Sequence, residues 1–148
     1  MTEEWIQRTF APENTFNFLI TLLPSPTSFN NVDGTVIGFL GLRLMARTSV
    51  ASIGYEISPS YWNKGCLTEA LSGFLSGYWK THPEGLKGSK LDESGRVFVD
   101  ATALENNAAS LRVLEKAGFV SVGQETAKDW YGGPDVVLKR YRVWKPVE

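Results

Sequence analysis

A chain of 148 residues with 43% apolar residues and a formal charge of −1 can build one domain around a buried core. The near-neutral balance provides no basic field for nucleic acid, and the apolar runs are too short and broken to span a bilayer. The single cysteine, Cys66, excludes an intrachain disulfide and fits a cytoplasmic setting.

The opening "MTEEWIQRTF" is acidic and amphipathic, unlike a secretory signal, and predicts a short helix over residues 2–9. "APEN" interrupts it. "TFNFLITLLP" is rich in β-branched and aromatic residues and predicts a strand over Phe16–Leu23, stopped by Pro24. "SPTSFNNVDG" has turn chemistry, with Asp33-Gly34 suited to a tight reversal. "TVIGFLGLRL" predicts a second, antiparallel strand, in which Gly38 and Gly41 mark a bulge or a close backbone approach.

"VASIGYEIS" predicts a third strand, with Glu56 on the face of Gly54 and Ser58 while Tyr55 and Ile57 point the other way. Leu71, Phe74, Leu75 and Tyr78 follow helical spacing over Thr68–Lys80. "THPEGLKGSKLDESG" predicts a polar, mobile loop, and "RVFVDATA" a compact strand. "NNAASLRVLEKAGF" carries the strongest helix signals of the chain: an Asn cap, Leu111 and Leu114 three apart, Lys116 in the last turn and Gly118 as C-cap. "FVSVGQE" and "PDVVLKRYRVW" predict two closing strands. The order β-β-β-α-β-α-β-β gives an α/β domain: a mixed, mostly antiparallel sheet with one right-handed parallel β-α-β crossover over residues 50–101.

The strand-to-helix junction "SPSYWNKGCLTEAL" carries the first chemical signal. A helix start leaves backbone N–H groups unpaired and slightly positive, and Gly65 has no Cβ to hold a phosphate away from them. Asn63, Lys64 and Thr68 add donors and charge. A plain strand-to-helix turn explains the same residues. The segment is neither a Walker loop nor a dinucleotide fingerprint, since the further glycines those need are missing.

Taken together, "YWNKGCLTEAL" and "ENNAASLRVLEKAGF" resemble the GNAT superfamily of N-acetyltransferases, and within it the ribosomal-protein N-terminal acetyltransferase-like (RimJ/RimL-type) branch. Tyr61, Trp62, Gly65, Thr68, Glu69 and Ala70 match the first motif of that branch; Asn107, Ser110, Glu115, Lys116, Gly118 and Phe119 match the second. "GTVIGFLGLR" and "IGYEISP" match its strands in order, so the likeness covers about residues 13–145. It implies the acyl-CoA N-acyltransferase fold, acetyl-CoA as acetyl donor and an amine as acceptor. It also implies that a strand and a helix normally ahead of this starting point are missing.

The same resemblance implies a pyrophosphate held by the backbone of Asn63, Lys64, Gly65, Cys66, Leu67 and Thr68. The pantetheine arm would lie along Ile57 and Ser58, with Asn107 and Ser110 facing it from the second helix. Acyl transfer to an amine needs a neutral nucleophile, donors for the developing oxyanion and a proton for the departing sulfur. Glu56 is the candidate base and Ser110 the candidate donor to sulfur; a solvent-facing carboxylate and a capping hydroxyl are the structural alternatives. Three positions depart from the wider family. Leu114 stands where many members carry an acidic tyrosine, Trp62 opens the first motif, and Leu67 replaces a small residue that keeps clear of the phosphates.

Other combinations are weaker. Cys66 and His82 suggest a cysteine hydrolase only if the two meet and a third group orients the histidine. Metal ligands are too few for a site. Trp130, Tyr131 and Gly132 lie where the family places acceptor-facing residues, or form a surface aromatic cluster. A catalytically weak or inactive acyl-CoA-binding or interaction module is the second functional class, and the acceptor stays open among protein N-termini, polyamines, antibiotics and other small amines. The apolar strand Phe16–Leu23 has neither lysine nor internal proline to block pairing, and it predicts a homodimer joined along that edge, or a monomer in which residues 1–12 cover it.

Overall fold

The structure, a computed structural model, describes residues 15–22 and 34–148. The helix expected over residues 2–9 and the reversal at Asp33 lie outside the described residues. Among the described residues six strands form one sheet: β1 (Thr15–Leu22), β2 (Thr35–Met45), β3 (Val50–Ile57), β4 (Phe98–Leu104), β5 (Val120–Ala127) and β6 (Val136–Trp144). Their spatial order is β1-β2-β3-β4-β6-β5. Every neighbouring pair is antiparallel except β3 and β4, which flank the crossover through helix α1 (Cys66–Thr81). Helix α2 (Ala108–Lys116) joins β4 to β5.

Strand register sorts the side chains. Leu40 lies opposite Tyr55, Leu42 opposite Ile53, Ile53 opposite Ala101 and Ala101 opposite Tyr141. Cα partners share a face, so these residues form one side of the sheet. Both helices pack there. Leu71, Leu75 and Tyr78 of α1 and Leu114 of α2 join Leu40, Leu42, Ile53, Val99 and Ala101 in one buried cluster. The opposite face of β4 and β6 carries Phe98, Asp100, Arg142 and Trp144. Asp100 is buried there, and Arg142 grips it through Nε (2.6 Å) and Nη2 (3.0 Å) while lying 3.7 Å over the Phe98 ring.

The helix ends follow their local chemistry. The Asn107 side chain accepts from Ser110 N at 3.1 Å and caps α2. At the other end Gly118 has φ 93°, Gly118 N bonds Glu115 O (3.1 Å) and Phe119 N bonds Leu114 O (3.0 Å). This is the Schellman arrangement, with buried Leu114 and Phe119 as its apolar contact. Helix α1 begins two residues earlier than its apolar spacing predicts, because Gly65 at φ 78° turns the chain directly into Cys66. It stops at His82, ahead of Pro83.

Two expectations about the strands take physical form here. The β1–β2 register shifts between Ile20 and Thr21, leaving Ile37 as the extra residue of a bulge. A Cβ at Gly38 would collide with the carbonyl oxygen of Glu56, so the close approach is real. The loop over residues 82–95, expected to be mobile, is instead tied down. Leu86 is buried, Lys90 N bonds Ser49 O (2.8 Å), and Asp92 accepts from Ser94 N, Arg96 N and Trp144 Nε1. Those bonds hold the Asp92 carboxyl below its ordinary range, the Arg96 amide being the largest cause.

Candidate active site

The parallel pairing of β3 with β4 stops at Ile53 and Ala101. Beyond that rung β3 runs on to Ile57 and β4 to Leu104 with no pairing between them, so the sheet splays open. A cavity of about 560 Å³ lies beside the splay, between the end of β3, the start of α1 and the start of α2.

The junction after β3 shapes one wall. A 3₁₀ turn at Pro59–Tyr61 reverses the chain, and Trp62 Nε1 donates to Ile57 O (3.0 Å), fastening the turn to the strand end. Asn63 at φ 58° and Gly65 at φ 78° then fold the backbone into a concave loop. The first helical bond of α1 runs from Glu69 N to Gly65 O (3.0 Å), and no side chain caps the helix. The amides of Cys66, Leu67 and Thr68 therefore have no helical partners, and these three residues line the cavity. A Cβ on Gly65 would meet no atom beyond its chain neighbours within 4 Å, so the space beside this turn is open. This is a donor set that suits a phosphate.

The other wall is α2. Asn107 and Ser110 line the cavity, along with Arg112 and Lys116 one and two turns on. The cap role that Ser110 might have played belongs to Asn107, whose Oδ1 takes the Ser110 amide. The Ser110 hydroxyl instead lies 2.8 Å from the Tyr55 hydroxyl, which also approaches Ser110 O at 3.3 Å. Burial pushes the Tyr55 phenol above its ordinary value, and the bond to Ser110 offsets part of that. Tyr55 is the site residue that the sequence reading passed over. Its signal was present: alternation along β3 turns it, with Ile57, toward the face where both helices pack.

Of the residues singled out beforehand, the structure brings Glu56, Ile57, Asn63, Gly65, Cys66, Leu67, Thr68, Asn107 and Ser110 around this one cavity. Glu56 reaches it from the sheet's other face, opposite Phe39 on β2, and is exposed. Ser58 and Lys64 stand outside the wall. The Ser58 amide is bonded to Ile37 O (2.8 Å), and Lys64 Nζ sits 5.6 Å from the Tyr61 ring centre. Leu67 also lines the cavity.

The chain matches, over residues 1–120, the family model of the acetyltransferase (GNAT) domain. It belongs to the GNAT acetyltransferase family. Within that family the chain is 30% identical over 114 residues to the uncharacterized N-acetyltransferase YoaA of Bacillus subtilis (strain 168). That match covers 76% of this chain and 58% of YoaA, so the chain spans little more than half of its curated relative. A GNAT-family acetyltransferase from Bacillus anthracis has the same fold, with a TM-score of 0.67, 21% identity, and coverage of 98% of this chain and 76% of that one. The microcin C7 self-immunity acetyltransferase MccE, solved in complex with acetyl-CoA and AMP, matches with a TM-score of 0.57 and 16% identity over 74% of this chain and 55% of its own.

Cys66 opens α1 and His82 follows its end; 16 helical residues span roughly 24 Å, so the two never meet. His82 Nδ1 contacts Thr81 Oγ1 (2.8 Å), and its ring packs against Tyr78 and Phe16. Among the described residues no cluster of three metal-ligating side chains exists, and no helix is long and apolar enough to cross a membrane. Trp130 and Tyr131 are 98% and 97% exposed on a loop whose backbone amides at Tyr131 and Gly133 bond the Asp129 carboxylate.

Proposed function

We propose that the chain is an acetyl-CoA-dependent N-acetyltransferase of the RimJ/RimL-like branch, acting on a primary amine by direct attack in a ternary complex. The observation that carries this reading is the juxtaposition of the β3–β4 splay with the uncapped start of α1, both opening on one cavity. The motif residues Tyr61, Trp62, Gly65, Thr68, Asn107 and Ser110, gathered around that cavity or beside it, support the branch. Bound acetyl-CoA supplies an activated acetyl thioester; the MccE complex is a relative that holds it.

The chain's own residues then have distinct tasks. The Cys66, Leu67 and Thr68 amides take the phosphates, where the helix dipole adds a favourable term. Ile57 and Asn107 border the path from there to the splay. Glu56, on the face away from both helices, is placed to take a proton from an amine arriving on that side. The lone cysteine fits a cytoplasmic setting. Calorimetric titration with acetyl-CoA, followed by thiol release against an amine panel, tests the reading. No binding at millimolar acetyl-CoA overturns it; binding without release for any amine favours the inactive acyl-CoA-binding module.

Two expected outcomes follow from these placements. Glu56→Gln slows turnover, and the deficit shrinks as pH rises and the amine deprotonates unaided. A deficit that is flat with pH assigns Glu56 to positioning. The second concerns assembly. Among the described residues strand β1 is at the sheet edge, with Phe18, Leu19 and Leu22 49%, 67% and 43% exposed. An antiparallel two-fold centred on Leu19 would set Phe16 against Leu22 and Phe18 against Ile20 of the second copy, with Asn17 against Thr21 on the other face. Light scattering across a concentration series is expected to show a homodimer, and Leu19→Lys a monomer. A native monomer at high micromolar concentration rejects the pairing.

A further inference from the structure

The departing sulfur of an acyl transfer needs a proton, and position 114, where many GNAT members keep a tyrosine for this, holds the fully buried Leu114. We propose that Tyr55 of β3 fills that role from the opposite wall, delivering its proton through the hydroxyl of Ser110. The proposal rests on the acetyl-transfer reading above and names a catalytic relay within that same site.

The geometry singles out this pair. Tyr55 and Ser110 lie 55 residues apart and meet at 2.8 Å inside the cavity wall. Either hydroxyl can donate across the 2.8 Å contact; the relay has Tyr55 donating to Ser110 Oγ. The hydrogen of Ser110 is then free for the cavity.

The chemistry explains why two hydroxyls serve better than one. A serine alone is a poor acid, since its alkoxide is far less stable than a phenolate. Tyrosine ionises near pH 10 in the unperturbed state, and burial moves Tyr55 further up, so the relay is loaded with its proton at neutral pH. As the N–C bond forms and the C–S bond breaks, the C–S electron pair passes to sulfur. Ser110 gives its proton to sulfur and takes the Tyr55 proton. The proton shed by the acceptor nitrogen returns through solvent to the phenolate. One proton has moved from nitrogen to sulfur, and both hydroxyls are restored. The other titratable groups lining the cavity are Glu56, Tyr61, Cys66, Arg112 and Lys116. The two cations favour thiolate over thiol, so the relay is read as a change superimposed on their constant field.

The test uses the full chain with Tyr55→Phe, Ser110→Ala and the double variant. Tyr55→Phe keeps the ring and removes only the hydroxyl. Acetyl-CoA affinity, by calorimetry, is expected to stay within about twofold, while kcat for the best amine falls about 100-fold, within the range of general acid catalysis. The double variant is expected to be no worse than the worse single, because the two groups act as one chain. A readout independent of turnover is the ultraviolet titration of the thiol in bound CoA. Removing the donor is expected to raise that thiol's pKa by about one unit, a tenfold loss of thiolate stabilisation. Unchanged kcat and unchanged thiol titration in Tyr55→Phe overturn the proposal, as do losses that multiply in the double variant. Failure of the native chain to bind acetyl-CoA is a different result, and rejects the acetyl-transfer reading itself.

Discussion

Gly65→Val is expected to leave the chain folded and to cut CoA affinity by at least about 100-fold. The valine Cβ would enter open space at the start of α1, where no atom beyond its chain neighbours lies within 4 Å. Its cost to the free protein is therefore backbone strain at φ 78°, about 1–2 kcal/mol, without a packing clash. Its cost to a phosphate is distance from the amides. Two charge-assisted hydrogen bonds at roughly 1.5 kcal/mol or more each account for a 100-fold loss, which corresponds to about 2.7 kcal/mol. Calorimetry with CoA reads the affinity, and thermal melting reads the fold. Gly65→Ala, with a smaller obstruction at the same backbone angle, is expected to fall between the two. Unchanged affinity in the valine variant would move the phosphates away from α1.

Asp100→Ala is expected to destabilise the fold by about 3 kcal/mol, because breaking a buried ion pair strands the remaining charge. Arg142 is 19% exposed at its side chain and Asp100 8%, so little solvent is available to replace the lost carboxylate. For a chain of this size that corresponds to a melting point lower by roughly 6–12 °C. Restoring apolar packing in Asp100→Ala/Arg142→Leu is expected to recover much of the loss. The location matters for function as well. Asp100 pairs with Ser52 at the start of the short β3–β4 contact and with Arg142 across β4–β6, so it fixes β4 where β3 is about to leave it. A loss below about 1 kcal/mol in the single variant would mean that solvent already screens the pair.

These two sites differ in how visible they were beforehand. Gly65, the Asn107 cap and the Gly118 stop were legible in the sequence, because each is written within one or two turns of chain, and the β-α-β crossover was legible in the order of the elements. A cap needs its acceptor three residues from its donor, and a positive-φ stop needs glycine at one position. The period of two in "VASIGYEI" likewise separated Glu56 from Tyr55 and Ile57 before any strand was paired. Asp100–Arg142 and Tyr55–Ser110 had no such local signal. Partners 42 and 55 residues apart are brought together only by strand order and register.

The loop over residues 82–95 shows the same division. Its composition resembles a mobile connection, yet contacts to Ser49 and Trp144, on segments distant in sequence, hold it in place. The separation of Cys66 from His82 needed only the knowledge that one unbroken helix lies between them. By itself the sequence determined the described strands and helices, the helix start that suits a phosphate and the face each strand residue takes, since propensity, capping and alternation act over a few residues. The tertiary structure alone decided where β3 and β4 part and which hydroxyls meet across the cavity, since those depend on packing six strands and two helices into one register.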